Sequence, residues 1–188
     1  MPQPKVRSNK LIVVDLETTC TNEHAEQFQN EIIEIGLSIV DIKTLTVEKN
    51  ISVFVKPQRS EVTDFCTKLT SITPEDVKDA MTLPEATAEL IRSYETDKYV
   101  WASWGDFDRL MVNRESKHYK ARFPFNRQHL NLKALYGQVH GLDELISLGT
   151  AVKLSGRVFE GRQHRGVDDA RMAAQLYLDM LKKLRGLQ

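Results

Sequence analysis

The chain has 188 residues, of which 41% are hydrophobic and 28% charged, as in soluble globular proteins. Its 26 basic residues balance 26 acidic ones, which excludes attraction of nucleic acid by overall charge. No apolar run has transmembrane length, and residues 1–10 lack a signal-peptide pattern. We expect a cytoplasmic protein without membrane contact, folded as one domain over residues 1–188 with its core at about 10–184.

Three predicted strands come first, at residues 10–17, 31–41 and 47–55, with a polar loop at 21–30. Predicted helices follow at 62–69, 74–78 and 83–95, then a strand at 98–104 and a helix at 107–118. A strand at 128–132 leads into helices at 133–139, 141–147 and 167–184. This order predicts an α/β fold with a mixed central β-sheet flanked by α-helices.

Two carboxylates, Asp15 and Glu17, stand one residue apart at the end of the first predicted strand. Side chains two apart on a strand point to the same side, so these two should converge. Like charges at that range raise each other's pKa unless a cation holds them. Hard oxygen ligands suit Mg²⁺ or Mn²⁺. The pattern predicts a metal-binding pair, and a strand ending in a solvated turn is the alternative.

Two further carboxylates lie where the strand at 98–104 passes into a helix. Asp106 occupies the expected N-cap position, where a carboxylate accepts backbone N–H bonds. Asp108 lies inside the first turn, where the helix dipole favours its charge and its oxygens stay free. We expect Asp108 to be a metal ligand and Asp106 a cap or supporting residue. The alternative is that Asp106 and Asp108 both cap the helix and have only a structural role.

Periodicity separates the two aspartates that open the final predicted helix. Asp169 shares a stripe with the apolar residues at 173, 176, 177, 180 and 184, whereas Asp168 falls on the solvated face. A carboxylate on a buried stripe is costly unless it is paired or coordinates a metal. We expect Asp169 to be a metal ligand, and a buried salt bridge to an arginine is the alternative.

His164 lies on a loop between Gly161 and Gly166, next to this helix. A neutral imidazole with a pKa of about 6.5 can accept a proton from a metal-bound water at neutral pH. The glycines would let the loop move between open and closed positions. We expect His164 to act as the general base, because of its neighbours; a lone loop histidine is usually a polar surface residue.

These residues resemble the pattern of DEDDh 3′→5′ exonucleases, which have a ribonuclease H-like fold. The pattern is an Asp-x-Glu, a mid-chain Asp and a C-terminal His-x-x-x-x-Asp. The resemblance is closest to the branch with the histone-mRNA 3′ exonuclease and the sporulation inhibitor KapD. It covers about residues 10–184 and is carried by residues 13–20 (VVDLETTC), 31–36 (EIIEIG), 65–72 (FCTKLTSI), 103–108 (SWGDFD), 131–133 (NLK) and 164–171 (HRGVDDAR).

The resemblance implies a single exonuclease domain whose second strand is antiparallel to the others. It implies two Mg²⁺ or Mn²⁺ ions per active site and a histidine general base. It also implies release of nucleoside 5′-monophosphates from single-stranded RNA or from short DNA or RNA 3′ ends, with RNA favoured over DNA. Two alternatives stay open: a polymerase-associated DNA proofreading exonuclease and a non-catalytic regulatory binding module. No protein partner is indicated. The implied metal ligands are Asp15, Glu17, Asp108 and Asp169, which with His164 form the catalytic set.

Substrate contacts are predicted at residues near these motifs. Thr18 and Thr19 follow the first carboxylate pair, and Trp104 would either support a base or pack in the core. Arg162 and Arg165, with Arg157 and Arg171 nearby in sequence, would meet phosphates if they do not simply belong to a solvated face.

Overall fold

The computed structural model describes residues 9–22 and 28–187. Within these ranges the strands are β1 (Lys10–Thr18), β2 (Ile32–Asp41), β3 (Thr46–Phe54), β4 (Val100–Ser103) and β5 (His129–Asn131). They form one sheet with the order β3-β2-β1-β4-β5. β1 and β2 are antiparallel, as are β2 and β3, whereas β4 runs parallel to β1 and β5 parallel to β4. The predicted mixed sheet and antiparallel second strand are therefore confirmed.

Helices cover both faces of this sheet. The side chains of β1 alternate between two buried layers, with Leu11 and Val13 in one and Ile12 and Val14 in the other, which explains its continuous apolar run. The described helices are α1 (Asp64–Thr70), α2 (Pro74–Lys78), α3 (Leu83–Tyr94), α4 (Phe107–His118), α5 (Leu132–His140), α6 (Leu148–Leu154) and α7 (Gly166–Leu184). The first layer packs against α5, α6 and α7, and the second against α3 and α4.

The helix predicted at residues 141–147 is wrong. Gly141 adopts a left-handed conformation with φ of 63° and ends α5, as glycine after a helix commonly does. The next helix, α6, begins only after Ser147, whose hydroxyl accepts a hydrogen bond from the N–H of Thr150 at 3.2 Å. Because Ser147 caps the helix, α6 covers Leu148–Leu154, a segment for which the sequence predicts no helix.

The other predicted elements exist, with ends shifted by a few residues. The stripe on α7 is shorter than predicted, because Leu184 is 62% exposed. Of the predicted loop at 21–30, residues 21–22 and 28–30 form no helix or strand, and 23–27 lie outside the described residues. Among the described helices, none is both long and apolar enough to cross a membrane.

Candidate active site

Three carboxylates converge at the carboxyl end of β1. Asp15, Glu17 and Asp169 each offer an oxygen within 4.8 Å of the others. The alternation of β1 directs the first two to one side, and the first turn of α7 brings the third. No lysine or arginine forms an ion pair with Asp169 among the residues that the structure describes. The salt-bridge alternative for Asp169 therefore has no support.

Asp108 lies beside this group, on the first turn of α4. It is 5% exposed, and its Oδ1 accepts a hydrogen bond from the N–H of Leu16 at 3.0 Å. Burial raises the pKa of Asp108 to about 6, although hydrogen bonds that include those from Leu16 and Ser103 oppose the shift. The negative charge of Asp108 also raises the pKa values of Asp15 and Glu17.

Asp106 is placed differently. Its side chain is 51% exposed, where it pairs with Arg109 at 3.0 Å and accepts a hydrogen bond from the Asn131 amide at 3.0 Å. Asp106 occupies the N-cap position of α4, but its side chain makes no capping hydrogen bond. The predicted capping by Asp106 is therefore wrong, and its other predicted role, that of a supporting residue, stays a prediction.

Desolvation and mutual repulsion perturb the three converging carboxylates. Desolvation, followed by repulsion from Asp169 and neighbouring acids, raises the pKa of Glu17 to about 8. Desolvation also raises the pKa of Asp169 to about 7. The pKa of Asp15 is raised well above its ordinary value by desolvation, then by Asp108, Asp169 and Glu17. Such a group holds protons at neutral pH unless a cation replaces them.

His164 lies in an exposed turn directly before α7, with φ of 63°. Its imidazole has no hydrogen-bond partner among the described residues. The turn itself is tied to the cluster, because the N–H of Arg165 donates to Oδ2 of Asp169 at 3.2 Å. The structure thus places His164 at the edge of the carboxylate group with a free side chain.

Two of the predicted substrate contacts belong to the packing of the fold. Thr19 is fully buried, and its hydroxyl accepts a hydrogen bond from the N–H of Glu31 at 2.8 Å. Trp104 packs against Tyr136 with ring centroids 5.6 Å apart, and its indole N–H donates to the Ile146 carbonyl at 3.1 Å. Trp104 therefore packs against the core, which is one of the two roles predicted for it. Thr18 is 9% exposed at the end of β1.

The arginines near the site all contact other protein groups. Arg162 is exposed, so it can still reach a phosphate, whereas Arg165 is 26% exposed and bound to a buried carboxylate. Their partners are the Lys68 carbonyl for Arg162, Glu34 for Arg165, Asp179 for Arg157, and Asp168 for Arg171.

Sequence reasoning missed Glu34, a fully buried carboxylate on β2 beside the cluster. In β2, Glu34 alternates with the apolar residues Ile33 and Ile35, a pattern typical of a strand with one solvated face. That face is instead covered by α7. The signal that could have revealed this is Gly36, which shares the face, because glycine within a strand often marks a close approach of another backbone.

The sequence model of the Exonuclease family (RNase_T) matches residues 12–177. The chain belongs to this family. It is 26% identical over 182 residues to human 3′-5′ exoribonuclease 1, an alignment that covers 92% of this chain and 52% of that protein. The chain therefore spans about half the length of this curated relative.

Two solved structures extend the comparison. The nuclease domain of 3′hExo, a DEDDh family member bound to rAMP, superimposes with a TM-score of 0.87 and 25% identity over 96% of each chain. A 3′-exonuclease that recognises the 3′ end of the histone mRNA stem-loop gives 0.84 and 25% over 94% of this chain and 65% of that one. These likenesses confirm the ribonuclease H-like fold and the resemblance to the histone-mRNA exonuclease branch.

Proposed function

We propose that this protein is a metal-dependent 3′→5′ exonuclease that removes nucleoside 5′-monophosphates from the 3′ ends of single-stranded RNA. The observation that carries the proposal is the convergence of Asp15, Glu17 and Asp169 within 4.8 Å. In the part of the chain that the structure describes, no cationic side chain is paired with Asp169, and Asp108 lies buried next to the group. A nuclease with a two-ion mechanism requires such a concentration of oxygen ligands.

The residues present fit two Mg²⁺ or Mn²⁺ ions. All the donors are carboxylate oxygens, which such hard ions prefer. Burial, and for Glu17 also repulsion from neighbouring acids, raises the pKa of Glu17 to about 8 and that of Asp169 to about 7, which a bound cation would counteract. The ligands would be Asp15, Glu17, Asp108 and Asp169. When bound, the ions would lower the pKa of the attacking water and stabilise the charge that develops on the leaving 3′ oxygen.

His164 would remove the proton from the attacking water at a ring nitrogen. Its exposed side chain has no hydrogen-bond partner among the described residues, so the imidazole is available for this transfer. The bond from the Arg165 N–H to Asp169 links its turn to the ligand cluster. A general base must come within hydrogen-bond reach of the water that it deprotonates.

RNA is the preferred substrate class because the similar proteins point to it. Human 3′-5′ exoribonuclease 1 is named for RNA, and the superimposable nuclease domain holds rAMP. Two of the predicted nucleotide contacts, Thr18 and Arg162, remain candidates, since one lies at the end of β1 and the other is exposed.

A time course with 5′-labelled single-stranded RNA and DNA of one sequence tests the proposal. Each substrate is incubated with Mg²⁺, Mn²⁺ or EDTA, and the products are separated on a gel. We expect a ladder that shortens from the 3′ end, faster on RNA, and no cleavage in EDTA. Intact RNA with both metals, from folded protein, would contradict the proposal and favour a binding module. Faster cleavage of DNA would contradict the substrate class only.

A further inference from the structure

We infer that Glu34 is a positioning residue, which docks the start of α7 onto the sheet and so places Asp169 and His164 for the reaction. The inference rests on the proposed function for its catalytic consequence. The contact between β2 and α7 on which it is based requires neither metal nor RNA. Glu34 is fully buried, and a buried carboxylate is tolerated only when its oxygens are satisfied.

Among the described residues Glu34 has three hydrogen-bond partners, and two of them lie at the beginning of α7. Oε2 accepts a hydrogen bond from the N–H of Gly166 at 3.0 Å and another from Nε of Arg165 at 3.2 Å. Oε1 accepts from the hydroxyl of Ser52 on β3 at 2.6 Å. The carboxylate therefore joins two strands of the sheet to the residue that precedes α7 and to its first residue.

Two glycines allow this docking. A Cβ on Gly36 would lie 1.9 Å from the carbonyl carbon of Gly166, so the two backbones touch. A Cβ on Gly166 would lie 3.0 Å from the carbonyl oxygen of Asp15 and 3.5 Å from Cδ of Glu34. The first turn of α7 thus rests directly on β2 and on the backbone of Asp15, the residue whose side chain it must approach.

Arg165 connects Glu34 to the carboxylate cluster. Its guanidinium is bound to Glu34, while its own backbone N–H donates to Oδ2 of Asp169 at 3.2 Å. The next residue toward the N-terminus is His164, held in a left-handed conformation. By holding Arg165, Glu34 therefore fixes the position of Asp169, the proposed metal ligand, and of His164, the proposed general base.

The test compares Glu34→Gln and Arg165→Lys with Asp179→Asn in the full chain. Asp179 forms an ion pair with Arg157 at 2.6 Å farther along α7, so its variant is a matched control for the loss of an ion pair on this helix. Hydrogen exchange of peptides covering residues 164–169 is measured first, without metal. We expect exchange about tenfold faster in the two test variants, and unchanged exchange there in the control.

Mn²⁺ titration by calorimetry, without RNA, provides the second measurement. Loss of a group that orients a ligand typically weakens metal binding by about 10–100-fold, and we expect that range for Glu34→Gln. Turnover on RNA at saturating Mn²⁺ should fall by about 100-fold, with KM changed far less. The Asp179→Asn variant should match the wild type in both measurements.

Unchanged exchange and unchanged Mn²⁺ affinity in folded Glu34→Gln would overturn the inference. If Glu34→Gln does not fold, the same two measurements on Arg165→Lys decide the question. Position 165 is partly exposed and lysine retains the positive charge, so this variant should fold. Altered exchange with equal Mn²⁺ affinity and turnover would also overturn it, since Glu34 would then only stabilise the fold. A wild type that degrades no RNA would refute the proposed function, while the exchange and Mn²⁺ measurements would still judge the role of Glu34.

Discussion

The carboxylate of Asp108 accepts a hydrogen bond from the backbone N–H of Leu16 at 3.0 Å, and Leu16 lies between the two acids of β1. This bond ties the first turn of α4 to the strand that carries Asp15 and Glu17. Leu16 is the residue opposite Ile35 in the antiparallel pairing with β2. Asp108 therefore supports the backbone of the site and adds negative charge to it.

Replacement of Asp108 should separate these two roles. Asp108→Asn keeps an oxygen acceptor for Leu16, so we expect its stability to equal or exceed that of the wild type. Asp108→Ala leaves a buried N–H without a partner, which should cost about 1–3 kcal/mol. Both should lose about 10²–10³-fold in RNA cleavage. Urea unfolding and initial rates check this, and an active Asp108→Asn enzyme would refute the ligand assignment.

Asp106→Ala is the natural control for Asp108. Its carboxylate is exposed and pairs with Arg109 on the surface, and such pairs contribute about 0–1 kcal/mol. We expect a small change in the unfolding midpoint and a rate of RNA cleavage close to that of the wild type. A large loss of cleavage in this variant, with little loss in Asp108→Asn, would exchange the roles of the two residues.

The stability of the metal-free protein should fall as the pH rises. The pKa of Glu17 is raised from 4.5 to about 8 on folding, so this group favours the folded state fully below pH 4.5 and loses that contribution as the pH approaches about 8. Each such group lowers the free energy of unfolding by at most about 1.4 kcal/mol per pH unit. Urea unfolding in EDTA at several pH values measures the slope.

Added Mg²⁺ or Mn²⁺ should flatten that slope, because the ions bind the deprotonated carboxylates. Asp15→Asn should also flatten it in EDTA, since the variant removes one charge from the repelling group. A slope that is the same in EDTA and in saturating Mn²⁺ would mean that the converging acids do not bind the ion.

Gly36→Ala should disrupt the approach of α7 to β2. The added methyl group would lie 1.9 Å from a backbone carbon of Gly166, and forcing extra atoms into a packed interior costs about 1–3 kcal/mol. Any folded variant should have lost RNA cleavage, because Asp169 moves with the helix. Thermal unfolding and cleavage rates check both effects.

Gly137→Ala is the matched glycine control. It lies inside α5, and its Cβ would meet the Leu145 side chain at 3.4 Å. Alanine in a helix interior is favoured over glycine by about 0.5–1 kcal/mol, so this variant should be at least as stable as the wild type and fully active. Equal stability of the two alanine variants would show that the Gly36 contact is not tight.

The periodicity of single elements is enough to predict which way Asp15, Glu17 and Asp169 point. The two-residue period of β1 placed Asp15 and Glu17 on one side, and the helical period of α7 turned Asp169 inward. These predictions succeeded because each depends on one element. Glu34 was missed because its burial depends on which helix covers β2, and a strand's own pattern does not contain that information.

Two other predictions failed for different reasons. The helix after Gly141 is predicted too early because a single local cap, Ser147, decides where it begins. Thr19 follows the acidic pair and is a predicted substrate contact, yet its hydroxyl accepts a hydrogen bond from the N–H of Glu31. A contact between β1 and the segment before β2 determines that second outcome.

The most direct test of the central claim is the identity of the first product from RNA labelled only at its last phosphodiester. With Mg²⁺, the wild-type protein should release the label as a nucleoside 5′-monophosphate from the earliest times, and Asp15→Asn should release none. Label released first in longer oligonucleotides, or released equally by the variant, would contradict metal-dependent cleavage from the 3′ end at this site.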